Sequence, residues 1–182
     1  EFAVIVAWPH QPRTANAQGC WNWFDPRHQQ RGSGEPAVLA GLAQELAAEF
    51  GVGPKRVFAA GLSAGGAMAE VLASTYPDVF SAVGVHSGLP HGAASDVMSA
   101  LGAMKGGAKT SRRTGAAVTG RKIIFHGGAD ATVNPANGER ILDQARQANP
   151  HSALVTSDSK VNGRRVTRTL LDAADGGALA EH

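Results

Sequence analysis

A chain of 182 residues, 43% hydrophobic and 18% charged, has the makeup of an ordinary globular domain with a core of its own; it is neither disordered nor fibrous. Its 17 basic and 15 acidic residues leave a net charge of +2 spread along the chain, and the doublets Arg112-Arg113 and Arg164-Arg165 read as solvated positions, so nucleic acid is not an expected partner. The single cysteine, Cys20, has no Cys/His partners at ligand spacing, which excludes a structural zinc, and no apolar run approaches the roughly 18 residues of a membrane span, so no membrane partner is expected either.

Taken in chain order, residues 2–8, "FAVIVAW", read as a short buried strand closed by Pro9. A long polar loop follows and carries Cys20, Trp21, Trp23 and Phe24. From Pro36 onward, Leu39, Leu42, Leu46 and Phe50 recur at three- and four-residue steps until Gly51, which predicts an amphipathic helix. A second strand over 56–60 runs into a box of small residues, Gly61-Leu62-Ser63-Ala64-Gly65. It turns at once into a helix with Ala64, Met68, Val71 and Leu72 inward, ended by Tyr76-Pro77.

"VFSAVGVHSG" and "RKIIFHGGAD" read as a third and a fourth strand. Between them lie a short helix over 95–104 and an aperiodic surface excursion, "GGAKTSRRTGAA". A helix runs from Pro135 to Asn149, and then the period changes to two: "ALVTSD" and "RRVTRTLLD" flank Asn162-Gly163, a hairpin dipeptide. Asp175-Gly176-Gly177 predicts one more turn, leading into "ALAEH". Such alternation gives an α/β architecture, a mostly parallel sheet flanked by helices with a β-hairpin near the C-terminus. No repeat or linker divides it, so residues 1–182 read as a single domain. The chain opens inside an apolar stretch and stops at His182 in an unfinished strand pattern, so truncation at both ends is expected.

The box around Ser63 carries the chemistry. A strand that re-enters a helix without an ordinary loop makes a sharp turn, which small residues permit and which points the serine hydroxyl outward. A serine hydroxyl is a weak nucleophile at neutral pH, so it needs an imidazole to take its proton and a carboxylate to orient the imidazole. In α/β hydrolases these follow in the order Ser, Asp or Glu, His, at the C-terminal ends of strands. Asp130, beyond a strand that ends in Gly127-Gly128, meets that order; Asp96 and Asp158 are its rivals, and neither directly ends a parallel strand. The backbone N–H of Ala64 opens the helix after the serine and is the candidate oxyanion donor.

Among the seven histidines, His86 and His126 lie within apolar strands and read as core or near-core, while His10, His28 and His151 lie in loops or at a helix end. His91 is a candidate for lining a pocket. His182 has the right order but ends a strand rather than following one, and does not read as the base.

The segments "ANAQGCWNWFDPRHQQRGSGEPAVLAGL", "RVFAAGLSAGGAMAEVLASTYPDVFSAVGVHSGLPHGAA" and "IIFHGGADATVNPANG" resemble the esterase family of poly(3-hydroxybutyrate) depolymerases, which also takes in feruloyl and acetylxylan esterases. The resemblance implies an α/β-hydrolase fold, incomplete here, and a cofactor-free serine esterase that cleaves carboxylic esters or polyesters through an acyl-enzyme on Ser63, with Asp130 as the triad acid. It places the catalytic histidine beyond His182 and the second oxyanion donor before Glu1, so the chain as given is expected to be inactive. It implies a secreted or periplasmic enzyme, and allows Cys20 to pair with a cysteine outside the chain. Trp21, Trp23 and Phe24 then read either as an apolar wall beside the nucleophile or as packing for their own loop. Two other readings stand beside this one: a catalytically silent scaffold or binding module in which Ser63 is a turn residue, and a serine peptidase or thioesterase of the same fold.

Overall fold

A computed structural model of the chain describes residues 4–107, 120–173 and 177–182. Six strands form one sheet in the order β1-β2-β3-β6-β5-β4: β1 Phe58–Leu62, β2 Ala82–His86, β3 Arg121–Phe125, β4 Leu154–Val161, β5 Arg164–Asp172 and β6 Ala178–Glu181. β1, β2, β3 and β6 are parallel, with Leu62, His86 and Phe125 in one row, and the β4–β5 hairpin continues the sheet antiparallel. The helices are α1 Gly34–Glu49, α2 Ala64–Thr75, α3 Val97–Gly102 and α4 Ala136–Ala148. This is the expected α/β architecture. Among the described residues no helix is long and apolar enough to cross a membrane.

The hairpin forms where the sequence puts it: Asn162 and Gly163 turn the chain at φ of 48° and 81°, left-handed conformations that an Asn-Gly pair accepts with little strain. Asp96 caps α3 through the Ser99 N–H, with the Ser99 hydroxyl returning the bond.

Four expectations shift. Residues 4–8 form no strand, and Val4, Val6 and Trp8 are exposed; a strand is made by its hydrogen-bonded neighbour, and no described strand pairs with them. β1 begins two residues later than the apolar run, because Lys55, at φ 62°, is still turning the chain. Phe50 falls one residue past α1 and is exposed rather than inward. His86 occupies the outward phase of β2, opposite to buried Val83 and Val85, and is exposed rather than core. The excursion over 108–117, with Arg112-Arg113, and most of the turn at 175–177 lie outside the described residues.

The core sits on one face of the sheet. Val83, Val85 and Ile124 point into it and meet Ala69, Leu72 and Ala73 of α2 and Ile141, Leu142 and Ala145 of α4; each large aliphatic side chain buried there contributes about 1.5–3 kcal/mol. Lys122 shares that face and is buried with its Nζ 2.7 and 3.0 Å from the two carboxylate oxygens of Glu70 on α2. Breaking such a pair by removing one partner costs about 3–5 kcal/mol, so it fixes how α2 lies against β3. The other phase of the strands, Phe58, Leu62, Ile123 and Phe125, is exposed.

Candidate active site

β1 ends at Leu62 and α2 begins at Ala64, which leaves one residue, Ser63, to make the whole turn. Ser63 does so at φ 54°, ψ −116°, a conformation that L-residues rarely adopt. Two bonds pin it, one from the sheet and one from the helix: its N–H donates to the His86 carbonyl at 2.9 Å, and its carbonyl accepts from the Ala67 N–H in the first turn of α2 at 2.9 Å. The surrounding glycines are required by space. A Cβ on Gly61 would overlap the Gly65 carbonyl, one on Gly66 would lie 3.0 Å from the Gly61 oxygen, and one on Gly88 would lie 2.6 Å from Val85 Cγ1 and 2.8 Å from the Gly66 carbonyl carbon. Side chains here would push the strand and helix apart. The first N–H groups of α2, beginning with that of Ala64, lack intrahelical acceptors and line the turn with partial positive charge.

Asp130 lies past the end of β3, two strands away. Its N–H donates to the Gly127 carbonyl at 3.0 Å, and its Oδ1 accepts from the Thr132 and Val133 N–H groups, both at 2.9 Å. His126 Nε2 stands 3.6 Å from Oδ2. The Val133 N–H bond, then the Ser87 hydroxyl, then the Thr132 N–H hold the Asp130 carboxyl below its ordinary pKa, with the nearby His126 adding to this. Asp130 is thus both the turn former that its loop needs and a carboxylate kept ionised at a strand tip.

His126 is fully enclosed, and its Nε2 lies 2.8 Å from the Val133 carbonyl. A carbonyl can only accept, so Nε2 donates to it, while Nδ1 is buried without a partner among the described residues. Gly138, in the first turn of α4, gives it room: a Cβ there would lie 3.1 Å from His126 Nδ1 and 2.6 Å from His182 Nε2. His182 therefore sits beside His126, and burial, then the neighbouring imidazole, push its pKa down against a smaller opposing pull from Glu139.

The remaining candidates sort by burial. Trp21 is half-buried, lies 3.9 Å from a Cβ position on Gly65, and lines a groove with Ala7, Pro9, Leu39 and Phe58. Trp23 is 6% exposed and packs with Met68, Val71, Leu89 and Val133; as a core residue, edge-on to Phe24, it offers no wall to a substrate. His91 is 5% exposed, with Nε2 3.0 Å from the Gln29 carbonyl, and is a tie for the tryptophan loop rather than a pocket lining. The rival carboxylates have other work: Asp96 caps α3, and Asp158 pairs with Thr167 and Arg165 on the exposed hairpin. Cys20 is exposed and free. Ser87, at the tip of β2 with φ 48°, is a strained position that sequence reasoning missed; the signal was a second serine–glycine pair at a strand end, Ser87-Gly88.

A family model described as Esterase PHB depolymerase matches residues 1–169. The chain belongs to this family. It is 35% identical over 150 residues to the poly(3-hydroxyalkanoate) depolymerase C of Paucimonas lemoignei, covering 76% of this chain and 36% of that protein. It is 32% identical over 157 residues to the feruloyl esterase B of Thermothelomyces thermophilus, covering 77% of this chain and 53% of that protein. The solved acetyl xylan esterase from Aspergillus awamori superposes with a TM-score of 0.71 at 21% identity over 90% of this chain and 65% of that one, which shows the shared α/β-hydrolase fold. This family member spans about a third to a half of the length of these two curated relatives.

Proposed function

We propose that the protein carrying this chain is a serine carboxylic ester hydrolase. Ser63 is the nucleophile, Asp130 the acid that orients the triad imidazole, and the Ala64 N–H an oxyanion donor. The observation that carries the reading is the backbone of Ser63: a non-glycine residue held at φ 54° between a strand and a helix, walled by glycines that cannot bear a Cβ. Strain of that kind persists where the surroundings enforce it, and here it presents a hydroxyl beside a helix N-terminus. The reaction runs by attack of Ser63 Oγ on the ester carbonyl, transfer of its proton to an imidazole, loss of the alcohol, and hydrolysis of the acyl-enzyme by water.

The base is none of His126, His91 and His182 in this reading. His126 Nε2 is spent on the Val133 carbonyl, His91 on the Gln29 carbonyl, and His182 sits against Gly138 at the start of α4. Trp21, next to Gly65, is the apolar surface offered to the acyl group, and the chemistry asks for no cofactor. The polyester and feruloyl substrates in the relatives' names bracket the substrate class, and such polymer-borne esters suit an exported enzyme.

A fluorophosphonate probe tests the reading. It is expected to label the protein at Ser63 and to be excluded by Ser63→Ala. A protein that resists the probe, or one labelled elsewhere with hydrolysis of p-nitrophenyl butyrate intact in Ser63→Ala, overturns it. A panel of matched ester, amide and thioester substrates then separates an esterase from a peptidase or thioesterase.

A further inference from the structure

Trp21 owes its place beside the Ser63 turn to two side chains distant from it in sequence. Its Cδ1 lies 3.9 Å from a Cβ position on Gly65, in the first turn of α2. Such a contact does not orient a ring, because apolar attraction is non-directional. The orientation comes from the backbone on either side of the tryptophan. The peptide unit before Trp21 offers the Cys20 carbonyl to Gln11 Nε2 at 3.2 Å, and the peptide unit after it donates the Asn22 N–H to Glu35 Oε2 at 2.7 Å. Both flanking peptides are thereby held.

Gln11 and Glu35 are themselves joined. Glu35 Oε1 accepts from Gln11 Nε2 at 2.6 Å and from Asn22 Nδ2 at 2.7 Å, so one carboxylate closes a ring of bonds around Trp21. Gln11 is 6% exposed and the Glu35 side chain 10%, and a polar group orphaned at such a place has little water to turn to. Glu35 is fixed in turn from the helix side. It is the second residue of α1, and its N–H donates to His28 Nδ1 at 2.9 Å. Gly34 makes that bond possible: it sits at φ 61°, and a Cβ there would lie 2.7 Å from His28 Nδ1 and 2.8 Å from the Arg27 carbonyl oxygen. The donors around Glu35 all need an acceptor, which a carboxylate supplies at both oxygens and a carboxamide at only one.

We propose that Glu35 is a positioning residue for substrate selectivity. Through the Asn22 N–H and Gln11 it sets Trp21 against the start of α2, and so decides how much of an ester's acyl chain finds apolar surface beside Ser63. It touches no substrate itself. This role rests on the reading of Ser63 as nucleophile and Trp21 as the surface offered to the acyl group. Acyl length is what such a surface reads, since each methylene that loses a buried place costs roughly fourfold in binding.

Hydrolysis of p-nitrophenyl butyrate against p-nitrophenyl acetate by the protein carrying this chain is the test, because the two esters differ by two methylenes. Trp21→Ala is expected to lower the butyrate-to-acetate ratio of kcat/KM by about 15-fold. Glu35→Gln, which sets an amide N–H2 against the donors, is expected to lower it by about 3- to 10-fold, with the loss in the KM for butyrate rather than in kcat. In the double variant the ratio is expected to stay within about 1.5-fold of Trp21→Ala alone, since Glu35 then has no ring to hold. An unchanged ratio in Glu35→Gln overturns this role, as does a second, independent fall in the double variant, which would make Glu35 a general support of the loop. If Glu35→Gln does not fold, Gln11→Met, which keeps the volume and removes the bond to the Cys20 carbonyl, is read in the same way, alone and with Trp21→Ala. A fall of about two- to fivefold that vanishes in the Trp21→Ala background supports the role, and an unchanged ratio overturns it. Ser63→Ala separates the two levels: turnover that survives it takes down the reading of the site, whereas an inactive Ser63→Ala beside a Trp21→Ala protein of wild-type selectivity removes the role of Glu35 and leaves Ser63 in place.

Discussion

The Ser63 turn and the Asp130 loop both leave the C-terminal end of a parallel strand, and both contain glycines, yet they are held by opposite means. At the Ser63 turn, Gly61, Gly66 and Gly88 sit where any Cβ would run into backbone or Val85, so the turn is shaped by the exclusion of side chains. At the Asp130 loop, Cβ atoms on Gly127 and Gly128 would meet nothing within 4 Å, and neither glycine has a positive φ. That loop is shaped by hydrogen bonds: Asp130 gathers the Thr132 and Val133 N–H groups, and His126 clasps the Val133 carbonyl from below. Steric walls give the proposed nucleophile a rigid site. Hydrogen bonds give the proposed acid a place that depends on charge.

The comparison is sharpened first by the two side chains that need no room. Ser63→Ala keeps the Cβ that the turn already tolerates, so the fold is expected to survive while kcat falls by about 10⁶-fold, as when a triad serine is removed elsewhere. Steady-state turnover beside an unchanged melting curve checks both halves. Asp130→Asn is next, at about 10⁴-fold in kcat, because an amide favours the wrong imidazole tautomer. This variant also carries a pH signature. The folded-state pKa of Asp130 is below its ordinary value, so its ionised form stabilises the fold above the unfolded carboxyl pKa of about 3.9, and that contribution is lost as pH falls through the folded value. Melting temperature measured from pH 6 downward is expected to decline less steeply in Asp130→Asn than in wild type; parallel curves would mean that the carboxylate does not hold its loop.

Gly61→Ala attacks the steric side of the comparison. The new Cβ would overlap the Gly65 carbonyl, which belongs to the first turn of α2 and has no flexible end to swing away. A loss of about 4 kcal/mol in folding stability is expected, read by urea denaturation, together with loss of probe labelling at Ser63. A stable, labelled Gly61→Ala protein would mean that the turn is not held by sterics at all.

How much of this the sequence discloses follows from the same difference. The Ser63 turn is a local device: five residues of the right size between an apolar run and a helical period suffice to place it. β2, β3, α2, α4 and the Asn162-Gly163 hairpin are equally local and lie where the periodicities put them, and β1 starts two residues late. What needs a neighbour is not legible. Residues 4–8 have the composition of a strand but lack a pairing partner among the described strands. Trp21 and Trp23 are two residues apart and indistinguishable by type, yet one lines a groove next to Gly65 and the other is buried against Met68. Ser87 stands between two other strand tips because of the register of β2 between β1 and β3, which no pattern within "VGVHSGLP" specifies. Asp130 is the instructive middle case: the two glycines before it point to the loop, but the bonds that build it come from Thr132 and Val133.

The smallest effect belongs to those two glycines, and it tests the contrast from the other side. If the Asp130 loop were a steric device like the Ser63 turn, replacing Gly127 with alanine would disturb it. The position is exposed, open on all sides and free of left-handed backbone, so an alanine fits without strain, while the unfolded chain loses freedom that only glycine has. Gly127→Ala is therefore expected to raise stability slightly, by about 0.4–1 kcal/mol, and to leave kcat within about twofold of wild type. The Gly127 carbonyl still receives the Asp130 N–H in this variant, so the loop's first bond is untouched. Denaturant melts and turnover of Gly127→Ala beside Gly61→Ala make the measurement: the same substitution, two strands apart, should differ in sign. A destabilised, slow Gly127→Ala would show that the acid loop also depends on the absence of a side chain, and the distinction between the two sites would fall.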